Sequence, residues 1–222
     1  MNVYGVDTVS VYKKIETILA NKIKRDISEG TALLKNYADV SAKNLSVKIA
    51  HKVSYQIKQQ GSSTSYHFVI LDNQKKKAYE FRRKGIFVSN YLVLNFDGKC
   101  LSSMRIKSCG NIFSSVISSV ISSVIMRTDT EIGRVEYNRR RTNSHFSTTI
   151  DGWRIENTTC HFVLYFEEKA VCTFTDYPIL NNSILIAAPQ YTDIIMIICA
   201  AILNINVYVR QNEKYSAGGG GG

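Results

Sequence analysis

The stretch whose reading decides the fold is Tyr191–Val209, "YTDIIMIICAAILNINVYV". Ten of its residues, Ile194 to Leu203, carry no polar side chain stronger than the Cys199 thiol. Five apolar residues in a row, Ile194 to Ile198, cover the full circumference of a helix. Such a helix has to be enclosed by protein or by lipid. From Tyr191 to Asn206 it would be ~24 Å long, short of a ~30 Å hydrocarbon core that asks for ~20 apolar residues. Asp193 and Asn204 trim the clean span to ~15 Å. The apolar "SILIAAPQ" upstream is broken off by Pro189, Gln190 and Asp193. Length therefore favours a protein interior over a bilayer, with Thr192 or Asp193 as the expected N-cap.

The rest of the chain explains what could enclose it. Thirteen tyrosines, many isoleucines and only two prolines favour strands. In "LSVKIAHKVSYQIK" (45–58) apolar side chains fall at alternate positions, a strand signal. Residues 53–60 read as a strand, whereas 42–52 fit strand and helix alike. Hairpins follow to about residue 190. Asp97-Gly98 and Asp151-Gly152 each separate two apolar runs and are expected in type I′ turns. "HFVILDNQKKKAYEF" (67–81) and "HFVLYFEEKAVCTF" (161–174) turn through polar clusters and resemble each other 94 positions apart. That spacing fits a barrel built of two similar halves. Glu167 and Glu168 are expected in a turn, because neighbours on a strand point apart. One stretch resists alternation: "FSSVISSVISSVI" (113–125) repeats every four residues and reads as an amphipathic helix or a helix-to-strand insertion.

An apolar helix in a β-rich chain needs a container. An open sheet covers one side and a closed barrel covers all. A helix is ~10–12 Å across with its side chains, so the barrel must be wider than the eight-stranded kind that fills itself. A large antiparallel barrel threaded by its own C-terminal helix is the expected fold. Three segments are expected: a helical N-terminal extension (1–52), the barrel domain (53–212) and a flexible Gly-rich tail (213–222). Within the extension, Val11, Ile15, Ile18, Leu19, Ile23 and Ile27 share one face of a helix over 8–29.

The strands and final helix in "YQIKQQGSSTSYHFVILDNQKKKAYEF", "YLVLNFDGKCLSSMRIK", "HFVLYFEEKAVCTF" and "YTDIIMIICAAILNI" resemble the tubby C-terminal-like superfamily, in its LURP-one-related and phospholipid-scramblase-like branch. The resemblance covers about residues 53–212. It implies a twelve-stranded barrel around a central apolar helix. The SSVI repeats and the N-terminal extension depart from the pattern. So does the lack of a match to the scramblase calcium-binding segment or to the phosphoinositide-contacting pair of tubby proteins.

The net charge of +10 suggests an anionic partner. Its candidate residues are Lys75, Lys76, Lys77, Arg82, Arg83 and Lys84 on one hairpin, with Arg139, Arg140 and Arg141 in "YNRRRTN". Near an anionic leaflet each such charge contributes ~1 kcal/mol. The expected function is a non-enzymatic binding module peripheral to a membrane or to anionic lipid. The alternatives are a protein-interaction scaffold and, less favoured, a nucleic-acid binder, for which no RRM, KH or helix-turn-helix signature exists. No GxSxG, P-loop or HExxH is present. His67, His145 and His161 have no evident nucleophile partner, and His161 reads as structural. No cofactor or metal is expected: five cysteines without a CxxC point to free thiols in a reducing, cytoplasmic setting. The N-terminus shows no apolar signal-peptide core.

Overall fold

The computed structural model describes residues 52–61, 65–84, 90–109, 119–139, 144–157, 161–175 and 182–217. The expected helix over 8–29 and the ambiguous segment 42–51 lie outside them. Twelve strands form one antiparallel sheet: β1 (Val53–Gln59), β2 (Phe68–Leu71), β3 (Lys77–Arg83), β4 (Asn90–Asn95), β5 (Cys100–Cys109), β6 (Ser119–Arg127), β7 (Thr130–Arg139), β8 (Ser144–Thr148), β9 (Trp153–Asn157), β10 (His161–Phe166), β11 (Lys169–Thr175) and β12 (Asn182–Ala187). A 3-10 turn at Pro189–Tyr191 leads into helix α1 (Thr192–Ala217). The strand order is 8-7-6-5-4-3-2-1-12-11-10-9. The two ends of the chain of strands, β8 and β9, come together without a backbone ladder. The Phe146 N–H instead donates to the Asn157 side-chain oxygen at 2.9 Å. The barrel is thus nearly closed, with one seam held by a side chain.

Helix α1 fills it. Ile195, Met196, Ile197, Ile198, Cys199, Ala201 and Ile202 are 0% exposed, although together they occupy every direction around the axis. Enclosure, rather than length, settles what the helix is. Its 26 residues span ~39 Å, and the stretch Pro189–Asn212 is long and apolar enough to cross a membrane. The helix is thus not the short span expected from its sequence, because it continues well past Asn206. The capping expectation also needs correction. Thr192 Oγ1 donates to the Pro189 carbonyl at 2.8 Å, and the Asp193 carboxylate accepts from the Tyr79 hydroxyl at 2.8 Å.

The SSVI segment is a strand, not a helix, over the part the structure describes. On β6 the inward positions are Ile121, Ser123 and Ile125, at 1, 0 and 0% exposure, while outward Ser122 and Val124 are also buried. A strand buried on both faces has no polar side to show, so the usual alternation is lost. Instead a small serine alternates with a large isoleucine on the wall facing α1, leaving room for the helix. Ser123 Oγ is left without a hydrogen-bond partner among the described residues.

The turns follow the same lesson. Gly98 and Gly152 have φ of +77° and +74°, but Asp97 and Asp151 do not take positive φ, so neither Asp-Gly pair makes a type I′ turn. Asn95 to Lys99 instead closes with Gly98 N–H to Asn95 O at 2.9 Å and Asn95 N–H to Lys99 O at 3.0 Å, a turn ending in a glycine bulge. Both central residues are left-handed at Thr128-Asp129 (+47°, +65°) and at Glu167-Glu168 (+46°, +65°), in the two-residue loops β6–β7 and β10–β11. The expected turn at Glu167-Glu168 is therefore present. The repeated hairpins are β2–β3 and β10–β11, eight strands apart in chain order. Two halves of a twelve-stranded barrel would put them six apart, so the repeat does not divide the barrel in two.

A β-branched residue in the left-handed region costs about 1 kcal/mol or more. Replacing Thr128→Asn together with Asp129→Gly should raise stability by about 1–2 kcal/mol, read as an upward shift of the thermal midpoint. An unchanged midpoint would show that this loop carries no strain.

Candidate functional site

The antiparallel order gives the barrel two unlike ends. The short loops β2–β3, β4–β5, β6–β7, β8–β9 and β10–β11 gather at one end, with the N-terminus of α1. The opposite end holds the remaining connections and the C-terminal half of α1. These ends are called here the turn end and the loop end.

The basic hairpin is split between them. Lys75, Lys76 and Lys77 sit at the turn end. There the Asp72 carboxylate accepts from the N–H groups of Gln74 and Lys76 at 2.8 and 2.9 Å, which folds the loop and leaves the lysines exposed. The neighbouring turns carry Asp97, Asp129, Asp151, Glu167 and Glu168, so this end is mixed in sign. Arg82, Arg83 and Lys84 lie at the loop end of the same strand, six residues or ~20 Å from Lys77. Between them Glu80 takes up charge. It meets His67 Nε2 at 3.1 Å, Lys77 Nζ at 3.2 Å and Arg82 at 3.9 Å. Partial burial pushes the Glu80 carboxyl upward, but Lys77, Arg82 and His67 outweigh it, and the net shift is downward.

Arg82 and Lys84 gain neighbours that the sequence reading missed. In the ladder Arg82 stands opposite Leu92, which stands opposite Ser103. Lys84 N–H bonds the Asn90 carbonyl, and Asn90 pairs with Arg105, whose Nε donates to Asn90 Oδ1 at 3.3 Å. Lys107 follows on the same outer face, two residues on. Arg82, Lys84, Arg105 and Lys107 are all exposed on the outer wall of β3–β5. Lys84 and Arg105 are two strands, ~10 Å, apart. Among the described residues no carboxylate pairs with Lys84, Arg105 or Lys107. The available signal was "MRIKS" (104–108), where Arg105 and Lys107 alternate with Met104 and Ile106. Arg139 ends β7 at the same end but four strands away, ~19 Å along the wall. Arg140 and Arg141 lie outside the described residues. Phe96, 67% exposed, belongs to the turn end and not to this patch.

Arg83 points the other way, toward the rim of the barrel opening. It stands opposite Tyr91, whose ring lies 4.7 Å from that of Tyr66. Tyr66 donates to Gln211 Oε1 of α1 at 2.9 Å. Burial pushes the phenols of Tyr66 and Tyr91 up, and Arg83 opposes it. Beneath them a small cavity is lined by Phe68, Phe81, Met104 and Asn204. Asn204 is 4% exposed, and neither of its side-chain polar atoms has a hydrogen-bond partner among the described residues.

The turn end holds a larger concavity, a cleft of about 480 Å³ lined by Tyr55, Tyr79, Arg127, Gln190, Tyr191 and Asp193 among others. The start of α1 positions Asp193, and the Tyr79 hydroxyl anchors it. Burial and then the Asp193 carboxylate raise the Tyr79 phenol well above its ordinary value. Tyr55 stands nearly perpendicular to Tyr79, at 74° with centroids 6.2 Å apart. Tyr191 is wedged against Phe166 and Trp153, at 5.0 and 5.9 Å.

The histidines of the paired hairpins are both occupied. His67 faces Glu80, and buried His161 meets Thr173 Oγ1 at 2.5 Å, with burial lowering the imidazole pKa. Among the described residues no group of three or more His, Cys, Asp or Glu side chains is placed to hold a metal ion.

No family model matches this sequence, and no curated protein matches it. The fold is similar to the X-ray structure of a protein from Arabidopsis thaliana. That match covers 71% of this chain and 93% of the other, at 12% identity and a TM-score of 0.47.

The unpartnered amide in the core gives a test of the packing. Asn204→Leu removes two buried polar atoms and places methyl groups against the cavity. It should raise stability by about 1–2 kcal/mol, measured by denaturant unfolding. A loss of stability would mean that the amide is satisfied in solution.

Proposed function

We propose that this chain is a non-enzymatic binding module that attaches to anionic phospholipid surfaces through the outer wall of β3–β5. The observation that carries the reading is the convergence of Arg82, Lys84, Arg105 and Lys107 on one exposed face, three of them without a carboxylate partner among the described residues. Four cations near an anionic leaflet contribute about 1 kcal/mol each, or about 4 kcal/mol together, enough for weak and salt-sensitive attachment. Lys75, Lys76 and Lys77 contribute less, since Glu80 and the acidic turns surround them. Membership of the tubby C-terminal-like superfamily belongs to the same proposal. A twelve-stranded antiparallel barrel filled by an apolar C-terminal helix supports it. The unpaired thiols Cys100, Cys172 and Cys199 support a reducing, cytoplasmic setting.

Sedimentation with phosphatidylserine-containing vesicles tests the reading. The protein should pellet at low salt and be released at high salt. The combined charge reversal of Arg82, Lys84, Arg105 and Lys107 to Glu should abolish pelleting, whereas Lys75→Glu with Lys76→Glu should leave most of it. Full retention of pelleting on phosphatidylserine-containing vesicles by the fourfold variant would overturn the proposal, as would pelleting on them that high salt does not release. Salt-dependent retardation of an oligonucleotide without vesicle binding would favour the nucleic-acid reading instead.

A further inference from the structure

The turn-end cleft is separate from the basic wall and has a different chemistry. Two opposite charges line it, Asp193 from the first turn of α1 and Arg127 from the end of β6. They are not joined: no ion pair within 4.0 Å links them, and Arg127 has no carboxylate partner among the described residues. Opposite charges that share a cleft without meeting leave space for a molecule carrying both signs. The tyrosines decide which cation. A primary ammonium wants three hydrogen-bond acceptors. The acidic wall here is one carboxylate, already bonded by the Tyr79 hydroxyl, beside the rings of Tyr55, Tyr79 and Tyr191. A cation sheathed in methyl groups donates no hydrogen bonds and is held by aromatic faces and one nearby negative charge. On the other side Arg127 offers a guanidinium fork, which suits a phosphate better than a point charge would. A cleft of about 480 Å³ lies within the ~300–1,000 Å³ range of small-molecule sites.

We infer that the turn end of the barrel binds a phosphorylated quaternary ammonium, the phosphocholine group, with its cation among Tyr55, Tyr79, Tyr191 and Asp193 and its phosphate on Arg127. The site does not depend on the basic wall. The same group occurs free and as a lipid headgroup, and the site recognises the chemistry they share. The helix begins here, but its N–H groups are not what selects the ligand; the paired side-chain charges and the tyrosines are.

The test is calorimetric titration of the full chain with phosphocholine, choline and inorganic phosphate. Phosphocholine should bind saturably and at least about tenfold more tightly than either fragment. Arg127→Gln, at the exposed end of β6, should weaken phosphocholine about tenfold or more while leaving choline unchanged. Asp193→Asn keeps an acceptor for Tyr79 and should weaken choline and phosphocholine alike. Thermal midpoints confirm that both variants are folded. Phosphatidylcholine vesicles form the second arm. Binding of free phosphocholine that Arg127→Gln diminishes identifies a soluble ligand. Pelleting with vesicles that the same variant abolishes, without binding of the free compound, identifies the headgroup. Absence of both, or binding unaffected by both variants, overturns the site. Because the wall variants and the cleft variants are different residues, failure here is distinct from failure of attachment to anionic lipid.

Discussion

Enclosure of one helix governs the architecture. Residues Ile194 to Leu203 leave no polar side to expose, so their transfer from water has to be complete in every direction. A sheet that curls through twelve strands provides that, and an eight-stranded one would be too narrow. The wall is shaped to the rod. Serines alternate with isoleucines where β6 faces α1, and the small side chains of Ala200 and Ala201 sit on the helix. Ser102, Ser123 and Asn204, polar groups buried beside the helix or on it, are small and uncharged.

Filling the barrel moves the chemistry to its ends and outer wall. Many barrels of this size or larger hold a ligand within; here the bore is occupied, and a concavity of about 480 Å³ opens at the mouth. The antiparallel order sorts the loops, with tight turns rich in acids at one end and the basic ends of β3 and β7 at the other. This sorting converts a diffuse net charge into a polar object. It also separates the two candidate surfaces, one a cationic wall and the other a tyrosine-lined cleft bearing both signs.

The sequence showed the helix, its need for a container and the hairpin character of the wall, because each rests on local periodicity or on a run of apolar residues. It left the SSVI segment between a helix and a helix-to-strand insertion, because burial on both faces of β6 erases the two-residue signature that separates strand from helix. It placed the type I′ turns at Asp-Gly pairs, while the wall geometry forced left-handed backbone on Thr128-Asp129 and Glu167-Glu168. The basic site was partly legible. Lys75 to Lys84 look contiguous in sequence, yet an extended strand carries the two clusters ~20 Å apart. Arg105 and Lys107 join Arg82 and Lys84 only through the registers of β3, β4 and β5, which single-sequence patterns do not encode. Likewise Arg127 and Asp193, 66 positions apart, share a cleft solely because α1 starts where β6 ends.

The side-chain closure at β8 and β9 bears on how the molecule is made. Every strand precedes α1 in the chain, so during synthesis the wall leaves the ribosome before its filling does. A cylinder zipped by a full ladder would then have to be threaded, whereas a sheet that stays unlaced along one line can wrap the helix when it emerges. The Phe146–Asn157 hydrogen bond, a side-chain contact and not a ladder, leaves that line free to close once the rod is in place.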